Sequence, residues 1–206
     1  MTNHIPSVRN ITRVFRTADA YQIATAGQWY SDAYAIADAL AVKHGLRVDT
    51  VVAVIAVLSP MNAWGNNINL SARVIEGKGT LTTGGLPANI AKANRLILGE
   101  SPDAVIGGQK VKNFYLSILT RGEFGLTVDR HAYDIAVNTR HTDATRPGIS
   151  KGLYATITAM YERAATILSK EYGQTFTAGQ TQAVTWTTWR GRYWAVGAWD
   201  NHDVSV

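Results

Sequence analysis

The sequence contains no cysteine. This excludes disulfide bonds, thiolate-bound zinc or iron–sulfur clusters, and a cysteine nucleophile. The longest apolar run, Val51 to Leu58, is too short to cross a membrane. The first residues show no basic start followed by an apolar stretch, so no secretory signal is predicted. We therefore expect a soluble cytoplasmic protein without a membrane partner.

Acidic residues are also few, with fifteen Asp and Glu against twenty Lys and Arg, so the formal net charge is +5. This excess suits a polyanionic partner without requiring one. Apolar residues make up 46% of the 206 residues and charged residues 17%, which excludes disorder over most of the chain and fits one domain. We place its core at about 18–195, with 1–17 and 196–206 as terminal extensions, and expect a monomer with no cofactor and no metal.

The alternation of polar and apolar residues that is typical of strands is also missing, and helical spacing dominates. Val51–Leu58 is rich in β-branched residues, but it lacks partner strands, so we interpret it as a buried helix. Further helices are predicted at 29–41 before Gly45, 87–98 from Pro87 to Gly99, 111–119, 154–172 before Gly173, and after a capping box formed by Thr177 and Gln180. The sequence predicts an all-α fold of about eight or more helices.

Asp129 is the first candidate for chemistry. The apolar spacing from Val128 to Ala136 places it in the first turn of a helix. A plain N-terminal cap explains an aspartate there, because free N–H groups and the helix dipole favour one. The functional alternative is a carboxylate that those N–H groups hold in place and that faces developing positive charge.

Two turns are further candidates. Gly107-Gly108-Gln109-Lys110-Val111-Lys112 opens an amphipathic helix whose N–H groups and lysines suit a phosphate, although a turn with solvated lysines is the simpler interpretation. Ser59-Pro60-Met61-Asn62-Ala63-Trp64 breaks the buried helix and presents a methionine and a tryptophan in one turn. An ordinary interhelix turn explains the Ser-Pro pair better than it explains these two side chains.

The segment from Trp186 to Trp194 combines three tryptophans with Arg190 and Arg192. This composition suits stacking on bases and contacts with phosphates. It suits equally well a terminal helix that buries its tryptophans in the core while the arginine heads reach the solvent.

Taken in order, these segments resemble the helix-hairpin-helix DNA glycosylase superfamily, the group that contains endonuclease III and the adenine-mismatch glycosylases. Val57-Leu58-Ser59-Pro60-Met61 is similar to its Leu-Leu-Ser-Ala-Gln turn, Gly107-Gly108-Gln109-Lys110 to its Gly-x-Gly-x-Lys hairpin, Val128-Asp129-Arg130-His131-Ala132 to its Val-Asp-Thr-His-Val motif, and the segment from Trp186 to Tyr193 to its Trp-x4-Gly-Arg-Tyr element. The resemblance spans about 51–194. It implies a two-lobed helical domain with a cleft, a reduced or absent hairpin and no iron–sulfur cluster.

The resemblance implies an enzyme that acts on a base, a modified one by our expectation, flipped out of double-stranded DNA. Asp129 would stabilise positive charge on the sugar, and Lys110 would attack the anomeric carbon if burial lowered its pKa. The residues implied in contacts with DNA or the base are Ser59, Met61, Asn62, Trp64, Gly107, Gly108, Gln109, Lys112, Arg130, His131, Trp186, Arg190 and Arg192.

Three interpretations remain open at this point. The first choice is a DNA glycosylase that cleaves the N-glycosidic bond. The second is a base-modifying transferase, because compact versions of this fold resemble bacteriophage enzymes that join an amino acid or amine to activated 5-hydroxymethyluracil in DNA; the location would then be the host cytoplasm. The third is a non-catalytic DNA-binding protein that has kept the fold.

Overall fold

The computed structural model describes residues 5–142 and 144–193. Within these ranges it contains helices and loops but no strand, which confirms the all-α prediction. The helices are α1 (Val8–Phe15), α2 (Ala20–Gly27), α3 (Trp29–His44), α4 (Val48–Leu58), α5 (Trp64–Glu76), α6 (Pro87–Ile97), α7 (Pro102–Val105), α8 (Gln109–Leu119), α9 (Arg130–Val137), α10 (Lys151–Tyr172) and α11 (Ala178–Tyr193). None of these helices has both the length and the apolar character that crossing a membrane requires.

Helix α4 contains the apolar run Val51–Leu58, and every residue of that run is buried. A helix that is apolar on all sides is stable only where other elements cover all its faces. Here α3, α5, α6 and α8 pack around it. The prediction of a buried helix is therefore confirmed, and α4 is the central element around which these helices assemble.

The predicted helix ends are also confirmed. Gly45 and Gly173 adopt the left-handed conformation that ends α3 and α10, a conformation that glycine reaches without steric cost. Pro87 begins α6. Before α11, the Thr177 hydroxyl accepts from the Gln180 backbone N–H at 3.0 Å, and the Gln180 side-chain oxygen accepts from the Thr177 N–H at 3.0 Å, forming the capping box.

Helix α1 lies in the core, although residues 1–17 were expected to be a terminal extension. Its side chains Ile11, Val14 and Phe15 are at most 1% exposed, and the Ser7 N–H donates to the Ala136 carbonyl at 2.9 Å. The helix packs on α9, α10 and α11. An apolar stripe at helical spacing requires such a partner surface, which places the start of the core before residue 18. The other expected extension, 196–206, lies outside the described residues.

Helix α11 contributes to three clusters of buried side chains. Trp189 packs with residues of α1, α9 and α10, Ala183 packs with residues of α3, α4, α5 and α8, and Val184 packs with residues of α1, α2 and α10. The face of α11 that carries Gln182, Ala183, Trp186 and Arg190 lines a cavity. Before α8, where a reduced or absent hairpin was expected, the chain forms the short helix α7 and a turn through Gly107 and Gly108.

Candidate functional site

A cavity of about 440 Å³ brings together side chains from distant parts of the chain. This volume falls in the range of roughly 300–1,000 Å³ that is usual for small-molecule sites. Many residues singled out from the sequence line it, namely Ser59, Met61, Asn62, Trp64, Lys110, Asp129, Arg130, His131, Trp186 and Arg190. The chain thus folds the turn after α4, the start of α8, the start of α9 and one face of α11 around one space.

The remaining candidates lie elsewhere. Gly107, Gly108, Gln109 and Lys112 are exposed around the start of α8 and do not line the cavity. Arg192 is exposed on the far side of α11, where it donates to the Thr17 hydroxyl at 2.9 Å and lies 5.9 Å from the ring centre of Trp189. The three tryptophans of this segment also separate: Trp189 is fully buried in the core, Trp186 lines the cavity, and Trp194 lies outside the described residues.

Asp129 is both a helix cap and a cavity residue. Its Oδ1 accepts from the backbone N–H groups of His131 and Ala132, each at 2.9 Å, and its Oδ2 accepts from the Trp186 indole N–H at 3.2 Å. Val128 before the cap and Tyr133 in the first turn are buried in one cluster, an arrangement that fixes how the chain enters α9. The helix therefore begins at Arg130, and the carboxylate is held from three directions.

Four large rings form an aromatic wall, which we define as Trp29, Trp64, Phe114 and Trp186. The ring centre of Trp29 lies 4.8 Å from that of Trp64, 6.0 Å from that of Phe114 and 6.5 Å from that of Trp186. All four line the cavity and are partly exposed. Such a surface favours a flat, aromatic ligand because ring faces stack on one another.

The cavity is also lined by buried residues with polar groups, which we call the polar floor: Tyr30, Asn67, Thr127, His131 and Gln182. The Tyr30 hydroxyl donates to the Gln182 side-chain oxygen at 2.9 Å. Burial raises the pKa of Tyr30 to about 12, outweighing the opposite effect of the Thr127 and Ser117 hydroxyls, so this hydroxyl keeps its proton. Burial lowers the pKa of His131, so its ring is neutral at pH 7.

Three cations stand around the mouth of the cavity. Lys110 and Arg130 are exposed, and the Arg190 guanidinium lies 4.8 Å above the ring of Trp186. Burial lowers the pKa of Arg190, the charge of Arg130 adds to this effect, and Asp129 opposes it. Among the described residues, no Lys or Arg forms an ion pair with Asp129. Because Lys110 is exposed, the burial that would make it a nucleophile is not observed.

Met61 projects from the turn that ends α4. Its side chain is 87% exposed, and its backbone has a φ of 60°, a left-handed conformation that is unfavourable for a residue other than glycine. In the same turn the Ser59 hydroxyl donates to the Ala56 carbonyl at 2.9 Å, which closes the end of the helix. The turn therefore presents an apolar side chain to the solvent at the edge of the cavity.

Sequence reasoning missed several lining residues, among them Tyr30, Asn67, Thr127 and Gln182. Trp29 and Phe114 fall within the predicted helices 29–41 and 111–119, and apolar spacing alone does not distinguish a side chain in the core from one in a cavity wall. Asn67 offers a signal, since it is a polar residue one helical turn from the apolar residues Trp64 and Leu70 of α5. Among the described residues, no three His, Asp or Glu side chains are grouped so as to hold a metal ion.

No curated protein matches the chain, and no solved structure matches it. Residues 2–193 match the model of the family of unknown function DUF7178, and the protein belongs to that family.

Proposed function

We propose that the protein is a DNA-directed enzyme that acts on a base flipped out of the duplex into the cavity, and that its first reaction class is cleavage of the N-glycosidic bond. The observation that carries the proposal is the convergence of the turn at Met61, Lys110, Asp129 and Trp186 on one cavity. These residues come from the separate segments whose order resembles that of helix-hairpin-helix DNA glycosylases, and the two-lobed arrangement around a cleft is part of the same proposal.

In this mechanism the aromatic wall stacks on the flipped base and the polar floor contacts its edge. When the C1′–N bond breaks, its electron pair leaves with the base and positive charge develops on the sugar. Asp129 stabilises this charge, because its Oδ1 is already held by two backbone N–H groups and the carboxylate needs no rearrangement. Water then bonds to C1′, its released proton passes to Asp129, and the base takes a proton from the solvent.

The duplex would lie across the mouth of the cavity. Met61, exposed at the edge, would enter the base stack as an apolar wedge in place of the extruded nucleotide. The backbone N–H groups at the start of α8, together with Lys110 and Lys112, would contact phosphates. Because Lys110 is exposed, we assign it to phosphate contact and expect no borohydride-trapped adduct between it and DNA.

The testing experiment compares Asp129→Asn with Asp19→Asn. Asp19 is the N-cap of α2 and lies outside the cavity, so it controls for the same chemical change at a helix cap. Both variants should lose about 1 kcal/mol of stability or less. Duplexes containing modified pyrimidines are incubated with each protein, and aldehydic abasic sites are counted. Asp129→Asn should lower the rate by on the order of a hundredfold or more, while Asp19→Asn keeps it.

Near-normal turnover by Asp129→Asn would end the assignment of this residue. DNA binding serves as a second readout, because removing a negative charge near phosphates should leave affinity unchanged or raise it. If binding is unchanged and no product of any kind forms with the parent protein, the non-catalytic alternative replaces the enzyme.

A second candidate is transfer to an activated base. Lys110, Arg130 and Arg190 line the cavity together with Asp129, and cationic side chains at this place suit a phosphate leaving group. An incoming amine would bond to the methylene carbon, the carbon–oxygen bond to phosphate would break with its electron pair, and Asp129 would take the proton of the amine. A mass gain on a nucleoside, without abasic sites, identifies this reaction.

A further inference from the structure

We propose that Asn67 and Gln182 determine which base the cavity accepts, because they present a fixed hydrogen-bond acceptor and a fixed donor to the edge of the base. This inference rests on the proposed function, in which a nucleobase enters the cavity. It concerns binding rather than bond cleavage, so it is tested without DNA.

The orientation of the Asn67 carboxamide is set by the end of α4. There the Ser59 N–H bonds to the Ala56 carbonyl at 3.3 Å instead of continuing the helical pattern, which leaves the Ile55 carbonyl in need of another donor. Asn67 Nδ2 supplies that donor at 3.0 Å. Since only the nitrogen of a carboxamide donates, Oδ1 must be the free end.

That free oxygen points to a ligand. Asn67 is 1% exposed and lines the cavity, yet its Oδ1 accepts no hydrogen bond from any residue in the described part of the chain. Buried polar atoms in native proteins nearly always have a partner. A donor carried by the occupant of the cavity would satisfy this oxygen.

Gln182 is oriented in the opposite sense. Its Oε1 accepts from the Tyr30 hydroxyl at 2.9 Å, and Tyr30 keeps its proton at neutral pH. The amide Nε2 of Gln182 is therefore the end left for a ligand, as a donor. Gln182 is 5% exposed, so the contact would form away from bulk water.

Together these groups select the class of ligand. A phosphate offers only acceptors and would leave Asn67 Oδ1 unsatisfied, and a hydrocarbon offers neither kind of group. A nucleobase is flat enough for the aromatic wall and carries a donor and an acceptor on one edge. The floor therefore fits a heterocycle with an N–H next to a carbonyl or ring nitrogen.

The test uses the quenching of tryptophan fluorescence, because Trp29, Trp64 and Trp186 line the cavity. Thymidine, deoxycytidine, deoxyadenosine and deoxyguanosine are titrated into the full-length protein. We expect saturable quenching with a preference among the four. Replacing every hydrogen on the donor nitrogen of the preferred nucleoside with methyl (one methyl for thymidine or deoxyguanosine, two for deoxyadenosine or deoxycytidine) should weaken its binding roughly tenfold, because the donor to Asn67 is lost.

The matching protein variants are Gln182→Met and Gln182→Glu, with Gln174→Met as an exposed control outside the cavity. Gln182→Met should weaken the preferred nucleoside roughly 5- to 10-fold, since it removes the donor while keeping the length of the side chain. Gln182→Glu still accepts from Tyr30 but presents an acceptor to the ligand, so the order of preference should change. Gln174→Met should bind as the parent does.

The inference is overturned if none of the four nucleosides quenches saturably, if the edge-methylated nucleoside binds as well as its parent, or if both Gln182 variants bind like the unaltered protein. Equal binding of the methylated and unmethylated nucleosides would mean that a water molecule, and not the base, donates to Asn67 Oδ1. Bond cleavage is measured on DNA duplexes and nucleoside binding by fluorescence, so the proposed function and this inference fail in different experiments. Loss of turnover in Asp129→Asn together with unselective nucleoside binding would leave the enzyme assignment in place.

Discussion

Asp129 and Asp134 lie at the start and in the middle of the same short stretch, yet their surroundings are opposite. Asp134 is fully buried and accepts from Arg146 at 2.8 and 3.2 Å, from His141 Nδ1 at 3.0 Å and from the His141 backbone N–H at 3.3 Å. Asp129 is partly exposed and accepts from backbone and indole N–H groups. Asp134 therefore forms an ion pair with a cationic side chain, whereas Asp129 forms none with any Lys or Arg of the described residues.

This difference separates a structural carboxylate from one suited to chemistry. The charge of Asp134 is neutralised by Arg146, which also donates to the His141 carbonyl at 2.6 Å and so connects the loop after α9 to the helix. The carboxylate of Asp129 is instead held by the dipoles of two backbone N–H groups and the Trp186 indole N–H, which fix its position without neutralising its charge. The negative charge of Asp129 can therefore act on a ligand in the cavity.

The largest effect that would test this comparison is on stability. Asp134→Ala should lower the free energy of unfolding by about 3–5 kcal/mol, because it removes a fully buried carboxylate that accepts from the mostly buried guanidinium of Arg146. Urea denaturation measures this loss, with Asp38→Ala, an exposed change on α3, as the control near zero.

Adding Arg146→Ala to Asp134→Ala should cost less than the sum of the two single changes, since the carboxylate and the guanidinium of this pair are then removed together. A loss of less than 1 kcal/mol for Asp134→Ala would remove the contrast with Asp129, because both carboxylates would then be dispensable for the fold.

The sequence predicted those parts of the molecule that local pattern determines. The run Val51–Leu58 is apolar on every face, so burial as a helix followed from the absence of partner strands. Gly173 and the box at Thr177 marked helix ends through backbone chemistry that acts within a few residues. Asp129 was placed at a helix start for the same reason, and the structure shows that cap.

Features that depend on packing between distant segments could not be predicted. The orientation of Asn67 depends on how α5 lies against the end of α4, and the role of Gln182 depends on Tyr30 of α3. In the sequence Asp134 is one more polar position on a helix. Its importance appears only when the loop after α9 folds back and brings Arg146 to it.

A smaller effect is expected in the pH dependence of stability, through His131 beside Asp129. Burial holds the pKa of His131, beside Asp129, below its ordinary value of 6.5. The unfolded chain therefore binds this proton more readily than the folded one, so stability is full above about pH 6.5 and falls as the pH decreases below it. Hydrogen bonds from Arg47 and Arg16 lower the pKa values of Asp49 and Glu171, so these carboxylates change the stability only at a more acidic pH.

Urea midpoints at pH 7 and pH 5.5 measure this dependence for the parent protein and for His131→Gln. The difference between the two pH values should be smaller in the variant, which has no proton to bind at this position. An equal or larger difference in the variant would show that the decline has another source and that His131 is accommodated as readily charged as neutral.

The smallest expected effect is on the salt dependence of DNA binding. It compares lysines exposed near the cavity with an arginine that contacts other residues of the protein. Lys110 and Lys112 are exposed near the cavity mouth, whereas Arg192 is held by the Thr17 hydroxyl beside the ring of Trp189. If DNA lies across the mouth, each lysine contributes one phosphate contact. The slope of log K against log salt should then decrease in magnitude by about 0.9 for Lys110→Ala and again for Lys112→Ala.

Arg192→Ala, the matched loss of one positive charge, should leave the slope unchanged because that guanidinium already has partners within the protein. Fluorescence anisotropy of a labelled duplex across a salt series measures all three slopes. A slope that responds to Arg192→Ala but not to the lysines would move the DNA to the opposite side of α11, away from Asp129.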